Sequence, residues 1–198
     1  QVFLFSELEK NHKIKTSFFT ITNVSIEDFL KLSYILITHI TEEHPVRKMN
    51  VDTFTILFDI IPRNTIEKFL DAISINYNEL STFCKSKTYD KPLLEYYSSS
   101  PFLEKPLIKK GSEYFQIHTQ LTSTSIQTFI YDLLRRTDAE KFMDSFGNVF
   151  ENALELILKE SEIDFHNEKY LKERLPKDNK VVDYFIPHTE ANIFIDAK

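Results

Sequence analysis

The stretch that most constrains the fold lies at the end of the sequence, in residues 181–198 (VVDYFIPHTEANIFIDAK). Residues 181–186 and 191–197 are rich in β-branched and aromatic side chains, which favour extended strands. The polar residues 187–190 include a proline and predict the turn of a β-hairpin. With this four-residue turn, Asp183 faces Phe194, and Asp196 is its diagonal neighbour on the same face. Lys198 follows two residues later and shares that face, because side chains alternate along a strand.

Two carboxylates and an ammonium group on one patch of an apolar hairpin predict a metal site. Ionised carboxylates repel each other, and their burial is costly unless a cation or a partner compensates. Mg²⁺ prefers hard oxygen ligands, commonly one or two carboxylates together with water and a phosphate oxygen. Asp183 and Asp196 are therefore candidate ligands for Mg²⁺ or Mn²⁺, and Lys198 is a candidate to assist an attacking water.

This arrangement resembles the PD-(D/E)xK nuclease superfamily, which has the restriction-endonuclease-like fold. In that family an Asp on one strand is followed by (Asp/Glu)-x-Lys on the next, and the corresponding residues here are Asp183 and Asp196, Ala197 and Lys198. Val182 stands where the family pattern has its proline. The resemblance implies a catalytic set that includes Asp183, Asp196 and Lys198.

The family usually supplies one more acid from a helix before the hairpin, and Glu151 fits that position. An apolar stripe predicts a helix over residues 145–158; its members are Phe150, Leu154, Ile157 and Leu158. Glu151 lies along this stripe, and the string from Gly147 to Glu151 is similar to the entry helix of several nuclease subfamilies. The resemblance covers residues 146–198. It implies that Glu151 is a further metal ligand or orients the water.

The segment that links this helix to the hairpin is the most basic part of the chain. Its cations are Lys169, Lys172, Arg174, Lys177 and Lys180. Two acids, Glu173 and Asp178, interrupt them, so the segment fits a charged surface loop as well as it fits a strip that contacts a nucleic-acid backbone.

The residues before this region predict a helical lobe. A cap at Ser25 starts a helix that runs to about residue 40; further helices are expected over residues 50–60 and 64–75, and residues 1–21 are expected to form short strands or irregular structure. Polar residues 76–106 predict a boundary. Two strands around residues 106–118 and a helix over 123–136 follow. The predicted fold class is α+β, with a mainly helical lobe over residues 1–100 and the opening helix and hairpin of a restriction-endonuclease-like domain over 101–198.

Composition excludes several other classes. The net charge of −6 argues against a generally basic protein that coats nucleic acid. Cys84 is the single cysteine, so no intrachain disulfide forms, and the absence of a signal peptide or a long apolar run predicts a cytoplasmic protein without membrane contact. The histidines lack the spacing of zinc ligands, and no glycine-rich phosphate loop is present.

The sequence therefore predicts a metal-dependent nuclease of restriction, repair or defence type, acting on DNA, with RNA left open as the substrate. The family core normally continues beyond the motif lysine, so the chain is expected to be a fragment, and activity is expected of the intact protein. The alternative is a non-enzymatic helical interaction module whose terminal hairpin pairs with a partner's sheet. A homodimer or another protein partner fits either function.

Overall fold

The computed structural model describes residues 2–5, 8–41, 47–87, 100–176 and 180–196. It has an α+β fold, as predicted. The chain forms two compact units, Gln1–Ala139 and Glu140–Lys198.

The first unit combines helices with a small mixed sheet. Its helices are α1 (Val2–Phe5), α2 (Lys13–Thr22), α3 (Ile26–Thr41), α4 (Arg63–Ala72), α5 (Leu80–Ser86) and α6 (Thr119–Thr137), with 3-10 turns at Val51–Leu57, Tyr77–Glu79 and Pro101–Leu103. Its strands are β1 (Lys48–Met49), β2 (Ser74–Asn76), β3 (Leu107–Lys110) and β4 (Glu113–Gln116). They pair in the order β1-β4-β3-β2, and β2 runs parallel to β3.

A cluster of phenylalanine rings holds the helices of this unit together. Phe29 of α3 contacts Phe18 of α2 edge-on at 5.2 Å, Phe69 of α4 edge-on at 5.1 Å and Phe129 of α6 by stacking at 5.0 Å. All four rings are buried. Since each ring comes from a different helix, Phe29 is the point at which the helical packing converges.

Two polar contacts support the edges of this core. The Asp71 carboxylate accepts hydrogen bonds from the Lys109 ammonium at 2.6 Å and from the buried Tyr114 hydroxyl at 2.7 Å. Buried Lys15 donates to the Leu8 carbonyl at 2.6 Å and to the Glu27 carboxylate at 2.5 Å. A buried charge is tolerated when it is hydrogen-bonded and paired in this way.

Several local predictions for this unit agree with the structure and others do not. Ser25 accepts from the Asp28 backbone N–H at 3.1 Å at the start of α3. Gly111, with φ of 64°, makes the turn between the two predicted strands. Residues 1–21, expected to form short strands or irregular structure, instead contain α1 and most of α2. The helix expected over residues 50–60 is a 3-10 turn with a non-helical backbone at Phe54.

The division between the units lies at Ala139 and Glu140, whereas the sequence analysis placed it near residue 100. Two long-range contacts account for the difference. Strand β3 pairs with β2, and α6 stacks its Phe129 on Phe29, so both β3 and α6 belong to the first unit. Residues 88–99 of the expected boundary segment lie outside the described residues.

The second unit consists of a long helix and a small antiparallel sheet. Helix α7 spans Ala139–Glu160, and α8 spans Glu168–Lys172. Strands β5 (His166–Asn167), β6 (Tyr184–Ile186) and β7 (Ile193–Ile195) pair in the order β5-β6-β7. The predicted hairpin is therefore present, and β7 lies at an edge of the sheet within the part of the chain that the structure describes.

Candidate functional site

The register of the terminal hairpin places the two candidate aspartates at the same end of the sheet, each directly beyond the last paired residue of its strand. Phe185 pairs with Phe194, and Tyr184 pairs with Ile195. Asp183 immediately precedes Tyr184 and Asp196 immediately follows Ile195, so an extension of this register by one residue would set the two aspartates against each other. The turn thus comprises residues 187–192 instead of 187–190, and the predicted pairing of Asp183 with Phe194 is off by two residues. A shift of two preserves the faces, because side chains alternate with a period of two.

The aspartates flank an aromatic pair on the same face of the sheet. Phe185 and Phe194 stack with ring centroids 5.1 Å apart. Asp183 precedes Phe185 by two residues, and Asp196 follows Phe194 by two, so strand alternation gives all four the same side. Asp183 is half-buried and Asp196 is exposed. Two carboxylates beside this pair of rings form a local concentration of negative charge.

Glu151 is attached to the opposite side of β6. Tyr184, which alternates with Asp183 and Phe185, is only 4 % exposed and donates its hydroxyl to the Glu151 backbone oxygen at 2.9 Å. Among the described residues, no three His, Cys, Asp or Glu side chains are grouped so that they could hold a metal ion. Glu151 therefore does not complete a three-carboxylate set with Asp183 and Asp196, because α7 packs on the other face of the strand.

The charges of three acids act on the ionisation of Tyr184. Burial raises the pKa of the Tyr184 phenol, and the negative charges of Glu155, Glu151 and Asp183 raise it further. Because its pKa is raised, the Tyr184 phenol stays protonated at neutral pH and donates its hydrogen bond to α7. Phe165 supports the same ring edge-on at 5.7 Å. Tyr184 thus fixes β6 to α7 and holds the acid-bearing end of the strand in place.

We expect Tyr184→Phe to lower the free energy of unfolding by about 1 kcal/mol, because the part-buried Glu151 carbonyl loses the hydrogen bond that the Tyr184 hydroxyl donates. The folded-state pKa of this phenol lies above its ordinary value of 10.0. The free energy that the neutral phenol contributes to folding is therefore fully present below pH 10. It is lost as the pH rises further, because the phenol ionises at a lower pH in the unfolded chain than in the folded chain. Urea denaturation between pH 7 and about 11 should show a shallower alkaline loss in Tyr184→Phe than in the wild type. Tyr170→Phe, at a more exposed ring of the same unit, should change stability by less than about 0.5 kcal/mol.

The basic segment is only partly available for an outside ligand. Lys172 pairs with Glu168 at 2.6 Å. The Arg174 guanidinium lies 3.6 Å from the centre of the Tyr170 ring and 3.9 Å from a Glu173 carboxylate oxygen. Lys169 and Lys180 are exposed. Lys177 and the motif residue Lys198 lie outside the described residues, so their predicted roles stay predictions.

A continuous row of flat side chains crosses this sheet, and the sequence analysis missed it. We call it the aromatic row: Arg174, Tyr170, His166, Phe185 and Phe194. Tyr170 stacks on His166 at 4.1 Å, and His166 stacks on Phe185 at 6.0 Å. The spacing of four between positions 166, 170 and 174 was the available signal, although only Tyr170 lies within α8 and His166 belongs to β5. Asn167 fixes the start of α8 by accepting from the Tyr170 backbone N–H at 3.0 Å.

An apolar cavity of about 270 Å³ opens beside the end of this row. It is lined by Phe185 and Phe194 together with Leu171, Leu175, Lys180, Val181 and Val182. Of the lining residues in the described part of the chain, Lys180 is the one with a charged side chain. An apolar wall with one cation at its rim suits a flat, uncharged group that is linked to an anion.

Two further observations bear on the class of protein. Within the described ranges, no helix combines the length and the apolar character needed to cross a membrane. Comparison with models of protein families, with curated proteins and with solved structures finds no match to this chain.

Proposed function

We propose that this chain carries the acid-bearing hairpin of a metal-dependent nuclease that hydrolyses phosphodiester bonds in DNA. The observation that supports the proposal best is the register that brings Asp183 and Asp196 to the same end of the hairpin, directly beyond the paired Tyr184 and Ile195. Residues directly opposite in an antiparallel pair are within reach of one another.

The two aspartates fit a divalent cation such as Mg²⁺ or Mn²⁺. Their four oxygens are hard ligands, and Mg²⁺ in phosphoryl-transfer sites commonly takes one or two carboxylates, with water and phosphate oxygens completing its shell. When bound, such a cation polarises a phosphate and lowers the pKa of water. The lack of a third acid in the described cluster is compatible with this ligand set.

The remaining residues take positions around this pair. Lys198, two residues after Asp196, is proposed to stabilise negative charge on the phosphate and to orient the attacking water. Glu151 is proposed as a positioning residue, since its backbone anchors Tyr184, which adjoins Asp183 in the chain. Lys169 and Lys180 are proposed to contact the phosphate backbone.

We expect the intact protein to cleave DNA in the presence of Mg²⁺ or Mn²⁺ and to lose this activity when EDTA is added, because the aspartates supply only oxygen ligands. The test incubates the purified protein with labelled single-stranded and duplex DNA, and with RNA, with and without metal. Restoration by excess Mg²⁺ controls for damage by the chelator. Cleavage that persists in EDTA, or absence of cleavage on every substrate, would contradict the proposal.

A second function is favoured by the exposed edge of the sheet. Ile193 and Phe194 on β7 are 51 % and 63 % exposed. An edge strand with large apolar side chains can add a strand from another chain. In this alternative the hairpin is a protein interaction module, and the aspartates serve to limit uncontrolled edge pairing. Association that depends on β7, in a protein that cleaves no nucleic acid, would support it.

A further inference from the structure

Phe194, at the free end of the aromatic row, is unusually exposed to solvent for a large apolar side chain. Phe194 stacks on Phe185 through one face, yet 63 % of its surface is in contact with solvent. Exposed phenylalanine forgoes most of the free energy that its burial would provide. Phe185 covers one face of Phe194, and the adjoining cavity leaves room for a flat group.

The charges near the row select the kind of flat group. Arg174 lies at one end of the row, at 3.6 Å from the Tyr170 ring, and Lys180 lies at the rim of the cavity beside Phe194. Aromatic side chains interspersed with cations are the pattern by which proteins bind single-stranded nucleic acid, with bases stacked on rings and phosphates held by Lys or Arg. A base in a duplex is already stacked on both faces, so only an unpaired base can use such a ring.

We propose that Phe194 and the adjoining cavity bind an unpaired base of single-stranded DNA, with Lys180 contacting the neighbouring phosphate. The aspartates lie on the same sheet face, so a strand held here passes the acid pair. The inference rests on the proposed function in taking this strand to be the one that is cut, whereas the binding can be measured without cleavage.

The lining of the cavity favours DNA over RNA. Proteins distinguish RNA by hydrogen bonds to its 2′-hydroxyl group. Apart from Lys180, the lining side chains among the described residues are leucine, valine and phenylalanine, which offer no such partner. Burial of a 2′-hydroxyl against them would cost free energy, because the group would lose its water without gaining a hydrogen bond.

The chain contains no tryptophan, which permits a direct test. Phe194→Trp retains a stacking surface and introduces a single indole at the proposed site. In EDTA, its fluorescence should be quenched on titration with a short single-stranded DNA and much less by the same sequence as a duplex. In parallel, fluorescence anisotropy of labelled DNA should show that Phe194→Leu, which keeps apolar bulk but removes the ring, weakens binding of the single strand by about tenfold.

Ile193→Ala provides the matched control, because Ile193 is on the same strand and similarly exposed but points to the other face. It should leave affinity for single-stranded DNA within about twofold of the wild type, an effect expected of a residue outside the contact. Circular dichroism should show that both variants are folded. Equal affinity of Phe194→Leu and the wild type would overturn the inference, as would tighter binding of duplex DNA or of RNA.

The same experiment separates this inference from the other proposals. Single-strand binding that depends on Phe194, without cleavage in Mg²⁺, would retain the inference and reject the nuclease. Cleavage that is unaffected by Phe194→Leu would retain the nuclease and reject the inference. If the indole emission of Phe194→Trp changed with protein concentration but not with added DNA, the inference of single-strand binding would be rejected in favour of edge pairing between chains.

Discussion

Asp183→Asn and Asp196→Asn should each reduce metal-dependent DNA cleavage by the intact protein by about a thousandfold or more. The reason is that the aspartate pair is proposed to hold one cation, which contributes several kcal/mol to transition-state stabilisation. An amide keeps the size of the carboxylate but not its charge, so each variant should bind Mn²⁺ weakly. Initial cleavage rates and Mn²⁺ titration calorimetry measure the two effects.

Two comparisons make this expectation specific. Glu190→Gln makes the same change of charge in the turn between β6 and β7, where Glu190 is exposed, and should leave cleavage almost unchanged. Lys198→Ala should lower the cleavage rate while Mn²⁺ affinity stays near that of the wild type, because the lysine is proposed to act on water and phosphate. Wild-type cleavage by Asp196→Asn would reject the proposed mechanism.

The faces of the hairpin could be predicted from sequence, whereas its register could not. Alternation of polar and apolar residues assigns Asp183 and Asp196 to one side whichever even shift is adopted. The turn between Ile186 and Ile193 contains no glycine that would fix a two-residue turn type, so its length was undetermined. The length of the turn, and with it the placement of the two acids relative to each other, could therefore be determined only from the structure.

Long-range contacts explain the other differences. Residues 18–21 have high β propensity, yet they lie in α2, where Ile14, Phe18 and Thr22 form a buried stripe with helical spacing. Tertiary packing outweighs local preference there. The parallel pairing of β2 with β3 joins segments on either side of the polar stretch that indicated a boundary. Such pairing leaves no local signal, since it depends on residues far apart in the sequence.

The aromatic row shows a related limit. Its members come from β5, α8 and the two hairpin strands, so no single periodic pattern contains them. His166 and Phe185 are brought together by strand pairing, and Tyr170 reaches His166 through the first turn of α8. The sequence does show the cations of this segment, but not that Arg174 lies over an aromatic ring. A site formed across four elements becomes visible only when their pairing is known.

Phe29→Ala should be the most destabilising single substitution considered for the first unit, with a loss of about 3–5 kcal/mol in the free energy of unfolding. Phe29 is fully buried and contacts three other rings, so alanine leaves a cavity at the meeting point of four helices. Each aromatic pair adds roughly 0.5–1.5 kcal/mol beyond the area that it buries. Since domains are commonly stable by only about 5–15 kcal/mol, much of the margin would be lost.

Urea denaturation followed by far-UV circular dichroism measures this change, and Phe19→Ala is the matched control. Phe19 is the same residue type on α2 but is 53 % exposed, so its truncation should alter stability by no more than about 0.5 kcal/mol. Phe29→Leu should fall between the two, because it retains most of the apolar volume but loses the ring contacts. Equal stabilities of Phe29→Ala and Phe19→Ala would contradict the role of Phe29 as the centre of the phenylalanine cluster. The larger loss of unfolding free energy is expected only if the buried ring is part of a shared core.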